Sequence, residues 1–300
     1  VSPFLKLWYL LQLVVVQTLL IFMSLAPLRL VLAAADVGAY LSFILWRSRR
    51  RTTIDNILKA GICADDASAR KMALASFRSF TTLIAESIVG RRRLTASNWA
   101  SHVTMKLSPK AEALLRDPRR GLLVASAHIG NWEVAAHAVS MLKPITVAFR
   151  PFHNPYLEKA ARKRRTGENL RYVSREEPNP MRFVESLSKG EIVALMIDQH
   201  VARGHVAVQF FGRPAWTTQI LAMLHLTTRA PLLLAFALRT GPLQYEVRTV
   251  GPIERPRTGD REKDVFTLTQ ALTDEIEKVA RANPEQYMWG HRRWKGFPGQ

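Results

Sequence analysis

The chain has 300 residues, 48% of them hydrophobic, one cysteine and a formal net charge of +19. That length allows one or two domains around a sizeable core, and a lone cysteine excludes an intrachain disulfide or a multi-cysteine zinc site. So basic a balance calls for an anionic partner: nucleic acid, an anionic membrane surface, or an acidic carrier or substrate.

Residues 7–25, LWYLLQLVVVQTLLIFMSL, contain no charge. A helix of that length extends roughly 28 Å, close to a bilayer core. Pro27 and Arg29 interrupt the run, and a second apolar stretch, 30–46, carries only Asp36 as a charge. Residues 1–46 are therefore expected to form a membrane anchor and 47–300 the functional domain. A cleaved signal peptide is the first rival; the AAA at 33–35 resembles a cleavage site, but the apolar run is long and only Lys6 precedes it. A buried core helix is the second rival, and it needs a surrounding core the segment does not supply. The RSRRR run at 47–51 favours the cytoplasmic side for the remainder of the chain and suits anionic headgroups. Whether the anchor spans once, forms a hairpin or lies in one leaflet stays open.

From Thr52 to about Leu115 the apolar spacing is helical, with Gly90 as a stop. Short apolar runs then predict strands at 121–127, 144–150, 192–198 and 231–239, with 243–250 as an antiparallel neighbour of the fourth. Helical patterns fall at 131–142, 155–167, 180–189, 216–229 and 262–282. Strands alternating with helices predict an α/β fold: a mostly parallel central sheet flanked by helices.

The most informative stretch is AHIGNWE, 127–133. His128 falls at the carboxyl end of the first of those strands, where open α/β sheets bind ligands. Gly130 permits a sharp turn and Asn131 can cap the next helix. On one regular helix, five residues would place His128 and Glu133 about 140° apart. They converge if His128 precedes the helix and Glu133 lies in its first turns. Glu133 could then orient the imidazole, leaving the other ring nitrogen as a general base, with amides of the helix N-terminus as oxyanion donors. The bland alternative is a core histidine beside an exposed helix. Ionisable residues at other strand ends, Arg150 and Asp198, describe a site better than a core.

At these residues the chain resembles the lipid A biosynthesis acyltransferase family, the late lauroyl and myristoyl transferases. The HIGNWE motif carries the histidine, four residues, then the acid. The resemblance continues in order through FRPFHNP (149–155), a basic helix with Arg165 at the position of a family arginine, Asp198–Gln199, FFGRPAWTT (210–218) and PEQYMWGHRRWKG (284–296). The actinobacterial mannoside acyltransferases share this plan, often with Asp as the acid. The resemblance implies a glycerolipid-acyltransferase-like fold and no metal or bound cofactor. The acyl donor would be an acyl carrier protein or coenzyme A thioester. The acceptor would be a hydroxyl of an anionic membrane glycolipid, a lipid A precursor first and a phosphatidylinositol mannoside or other glycolipid as the alternative. It also implies a bacterial inner-membrane location with the catalytic domain on the cytoplasmic face.

In that reading His128 and Glu133 are catalytic, and Arg150, Arg165, Asp198 and Gln199 bind substrate, the arginines through forked contacts to phosphate. Asp198 could instead pair an arginine or support the site. Transfer would be direct, without an acyl-enzyme, and nothing marks Cys63 as a nucleophile. FFG at 210–212 reads as a turn shaping an acyl groove or as core aromatics. HRRWK at 291–295 reads as a membrane-facing basic-aromatic lip or a solvated tail. A basic nucleic-acid-binding protein would explain the charge but not the apolar N-terminus, and no known binding motif is seen. A metallohydrolase has no HExxH to rest on. A glycerolipid acyltransferase shares the His-x4-acid motif, but its Glu-Gly-Thr-type phosphate block is absent.

Overall fold

A computed structural model describes residues 2–95, 97–165, 167, 169–174, 180–254 and 257–297; the side chains of Arg91, Arg164 and Arg165 lie outside the description. The chain opens with helices α1 (Pro3–Leu25), α2 (Leu28–Leu45), α3 (Arg47–Lys59) and α4 (Asp66–Arg93). Next come β1 (Val103–Lys106), α5 (Pro109–Arg116), β2 (Leu122–Ser126), α6 (Trp132–Ser140), β3 (Ile145–Phe149), α7 (Pro155–Arg165) and β4 (Leu170–Ser174). The rest comprises α8 (Pro180–Ser188), β5 (Ile192–Met196), β6 (His205–Phe210), β7 (Arg213–Thr218), α9 (Ile220–Thr228), β8 (Leu232–Gly241), β9 (Gln244–Val250) and α10 (Arg261–Ala282).

Seven strands form one sheet in the order β1-β9-β8-β2-β5-β3-β4. Every neighbouring pair is parallel except β8 with β9, which are antiparallel. β6 and β7 make a separate hairpin. The central strands are apolar on both faces because both are covered. Leu123, Ala125 and Ala127 join a core with α3, α4, α8, α9 and α10, while Leu122, Ile145 and Ile192 pack on the other side with α5.

Helix starts carry local signals. The Asp65 carboxylate accepts the Ser68 amide at 2.8 Å, Ser108 caps α5 with Pro109 at its first turn, and Asp260 accepts two amides of α10.

The expected mostly parallel α/β sheet is present with its anticipated strands, the antiparallel 243–250 neighbour among them. Four strands were not anticipated. β1 interrupts the stretch read as helical, and β4 is a short edge strand of mixed polarity. Residues 205–218 pair as β6–β7, so the helix expected from 216 starts at Ile220. The lip expected at 291–295 is corrected: Arg293 and Trp294 are buried. Arg293 donates to the Trp216 carbonyl and the Thr217 hydroxyl of β7, and Trp294 donates to the Phe210 carbonyl. Phe210 and Phe211 sit at the β6–β7 turn and are buried in the core. Among the described residues three helices, α1, α2 and the Asp66–Gly90 part of α4, are long and apolar enough to cross a membrane.

Candidate active site

The parallel register builds the centre of the site. Ser126 of β2 lies opposite Met196 of β5, so the residues two steps beyond each strand, His128 and Asp198, emerge side by side. The Asp198 carboxylate accepts the His128 backbone N–H at 2.9 Å and meets His128 Nδ1 at 2.8 Å. Burial on its own would raise the Asp198 pKa. The neighbouring His128 charge, its ring and backbone hydrogen bonds, and the Arg293 guanidinium outweigh burial and hold the carboxyl below its usual range. Beside an ionised Asp198 the neutral imidazole carries its proton on Nδ1, and in that form Nε2 is an acceptor. The Gln199 side-chain amide lies 3.2 Å from Nε2 and can donate to it. Sequence spacing offered Glu133 as the residue that orients the imidazole; the structure places Asp198 at Nδ1 instead.

The loop that carries His128 is fixed from three sides. Gly130 has φ +59°, and a Cβ there would fall 1.9 Å from the Ala237 carbonyl oxygen, so only glycine fits. The Gly130 amide donates to Gln286 O and the Asn131 amide to Ala237 O. The Asn131 side chain accepts the Val134 amide at 3.1 Å, the cap that the sequence predicts. Three amides at the start of α6 are thus already committed. The Trp132 ring meets the His128 imidazole edge-on with centroids 5.0 Å apart. Asn131 also donates to the Tyr245 hydroxyl, which donates to Glu86 of α4 at 2.5 Å. Glu86 is fully buried and takes Arg239 and the Leu243 amide as further partners.

Beneath Asp198 lies the C-terminal segment. Burial, and the Asp198 charge beside it, push the Tyr287 hydroxyl well above its usual pKa. Helices α3 and α4 grip this segment: Asn56 donates to Trp289 O and His291 O, and Ser76 donates to Tyr287 O. His291 Nε2 accepts the His200 amide at 3.0 Å. Burial lowers the His291 pKa to about 4; the Asp198 charge opposes this, and the charges of His128, Arg293 and His200 add to it. Between pH 6.5 and about 4 the unfolded chain therefore binds a proton at His291 that the folded chain does not. The stability from this group is full above about pH 6.5 and is lost progressively down to about pH 4. Thermal unfolding should show this loss, up to ~3 kcal/mol from His291; in His291→Asn the slope over that window should be shallower, and an unchanged slope would refute the assignment.

The other anticipated residues take separate places. Glu133, in the first turn of α6, lines a small cavity of about 30 Å³ with Ser87, His137 and Tyr172. Arg150 is exposed just past β3, which pairs with β5, so it emerges at the same sheet edge as Asp198. Arg165 closes α7, and its side chain lies outside the described residues. Sequence reasoning did not single out Glu86, Tyr245, Tyr287 or Arg293 as parts of this assembly. Glu86 was signalled only as a charge inside an apolar helical stretch, and Tyr287 and Arg293 only as members of the 284–296 block.

The sequence profile described as "Bacterial lipid A biosynthesis acyltransferase" matches residues 2–296. The lipid A biosynthesis lauroyltransferase of Escherichia coli (strain K12) is 28% identical over 237 residues, 76% of this chain and 73% of that protein. The lipid A biosynthesis palmitoleoyltransferase of the same organism is 26% identical over 182 residues, 60% of this chain. The matched part spans 57% of that relative's length. A lipid A biosynthesis acyltransferase of Shigella flexneri aligns over the same extent at 26% identity. With a family match that runs nearly end to end, the chain belongs to the bacterial lipid A biosynthesis acyltransferase family.

Proposed function

We propose that the chain is a membrane-attached O-acyltransferase, with a glycerolipid-acyltransferase-like body, that moves a fatty acyl group from an acyl carrier protein thioester to a hydroxyl of a lipid A precursor. The observation that carries this is the His128–Asp198 pair at the carboxyl edge of the sheet. It orients the imidazole through Nδ1 and turns Nε2 toward the acceptor side, where the Gln199 amide now meets it. His128 Nε2 removes the acceptor proton as the hydroxyl oxygen attacks the thioester carbonyl. The C–S bond breaks, and the imidazolium returns its proton to the departing thiolate. Asp198 holds the tautomer and stabilises the imidazolium. The Gln199 amide, released from Nε2 as the acceptor enters, donates to the developing oxyanion. Glu133 faces the acceptor from the wall of the neighbouring cavity, and Arg150 and Arg165 meet its phosphates or the carrier's phosphopantetheine. Residues 1–46 serve as the anchor and 47–300 as the transferase body on the cytoplasmic face of the inner membrane.

The test uses the solubilised full chain with a labelled tetra-acylated lipid A precursor and acyl carrier thioesters of several lengths. A more acylated product is expected. Product only with coenzyme A thioesters and a mannolipid would move the assignment to that acceptor class. No product with either set would reject the transferase reading.

A further inference from the structure

Resting on the membrane attachment proposed above, we infer that α1 and α2 do not cross the bilayer: both lie lengthwise on the body, with their outer faces immersed in the hydrocarbon of a single leaflet. Exposure along the two helices supports this first. In α1 the partly covered residues recur as Tyr9, Gln12, Leu13, Gln17, Leu20 and Met23, one face from the second turn to the end of the helix, while residues 3–8 are exposed. In α2 the same spacing appears in Val31, Ala35, Ala39 and Phe43. Steps of three and four mark a helix packed along its length on one side. A span leaving the body would be covered only near one end.

Polar ties fix both helices at separated points. The Asn154 side chain, buried just before α7, donates to Tyr9 O at 3.0 Å and to Gln12 Oε1 at 2.9 Å. At the far end of α1, Arg93 reaches Ala26 O and Arg92 reaches Ser24 Oγ. The anchor points at Gln12 and Ala26 are fourteen residues apart, roughly 21 Å of helix, yet both sit on the same body. The midpoint of α2 is held by the Asp36–Arg78 ion pair with α4, 2.7 Å between nitrogen and oxygen. α4 in turn belongs to the body, because Ser76 bonds the Tyr287 carbonyl and Glu86 bonds Arg239 and Tyr245. A bilayer crossed by α1 or α2 would have to engulf α4, Asn154 and these charges.

The surface that the body leaves uncovered is apolar. Leu7, Val14 and Phe22 of α1 and Val37, Leu41 and Leu45 of α2 are exposed. Trp46 then marks the interface, with the Arg49 guanidinium 5.1 Å from its ring. An apolar outer face rimmed by arginine and tryptophan fits an in-plane attachment to one leaflet.

The test places single cysteines in the full chain with Cys63→Ser: Ser2→Cys before α1, Arg29→Cys at the α1–α2 turn, Ser48→Cys after α2, and Ser188→Cys on α8 as the marker of the body's side. Membrane vesicles of both orientations are treated with an impermeant maleimide, and detergent shows that each thiol is reactive. No labelling from the face opposite Ser188→Cys is expected at any of the three positions. Labelling of Ser2→Cys from that opposite face would establish a single span, and of Arg29→Cys a hairpin; either overturns the inference. Acyl transfer in the same vesicles is read separately, so a failed topology and a failed transferase assignment are distinguishable.

Discussion

Asp198→Asn is expected to lower the acyl-transfer rate by roughly 10²–10⁴-fold, the span general acid–base catalysis contributes, with the fold intact. The asparagine is nearly isosteric and can still accept the His128 amide through its carbonyl oxygen. It then turns its NH2 toward Nδ1, where the carboxylate oxygen was. A donor at Nδ1 forces the ring proton to Nε2, and the nitrogen that should take the acceptor proton is blocked. The loss should fall on kcat if the buried Asp198 acts through the His128 ring it holds, as proposed. Glu133→Gln should act differently. Glu133 lines the adjacent cavity, so its loss should raise KM for the acceptor more than it lowers kcat. A rate within about tenfold of wild type for Asp198→Asn would show that Asp198 does not set the tautomer.

The second large effect concerns stability. Glu86→Ala should cost about 3–5 kcal/mol, the usual penalty for removing one partner of a buried ion pair. Glu86 is fully buried and accepts from the Arg239 guanidinium, the Leu243 amide and the Tyr245 hydroxyl, and Tyr245 links it to the Asn131 side chain. Without it Arg239 keeps a part-buried charge that no other acid among the described residues pairs. Replacing both members, Glu86→Leu with Arg239→Met, should recover only the part of the loss due to the orphaned charge, since the buried Leu243 amide and Tyr245 hydroxyl still lack an acceptor. Denaturation of the detergent-solubilised protein measures both. A single Glu86→Ala loss below about 1 kcal/mol would refute the network's structural role. Because the network ends on the residue that caps α6, activity should fall as well, even at temperatures where the variant is folded.

The middle of the sheet was legible because β2, β3, β5 and β8 are short apolar runs at the spacing of βα units, whereas the edge strands β1 and β4 carry no such run. HIGNWE was legible because glycine and asparagine there have strict local jobs: Gly130 fits under Ala237 and Asn131 caps α6. Strand order stayed hidden. β5 lies beside β2 although β3 and β4 come between them in sequence, and only that adjacency brings Asp198 to His128 across seventy residues. Glu133, five residues away, was the carboxylate that sequence distance favoured. Residues 205–218 escaped because their pairing is with each other and α10 rather than with the main sheet. The 291–295 segment looked like a surface lip because its charge was visible while its partners were not. Those partners are the backbone carbonyls of Trp216 and Phe210. The long apolar helices α1 and α2 were plain from composition. Their packing along the body was not, since lying along a body and crossing a bilayer need the same apolar length.

The most direct test of the mechanism is a single-turnover acyl-transfer measurement comparing wild type with His128→Ala, using whichever donor and acceptor pair the wild-type chain turns over. In the proposed mechanism His128 is the general base at the sheet edge, so His128→Ala should lose transfer by at least roughly 10²-fold while still binding the acyl carrier thioester. Transfer at an undiminished rate by His128→Ala would contradict the mechanism at its centre.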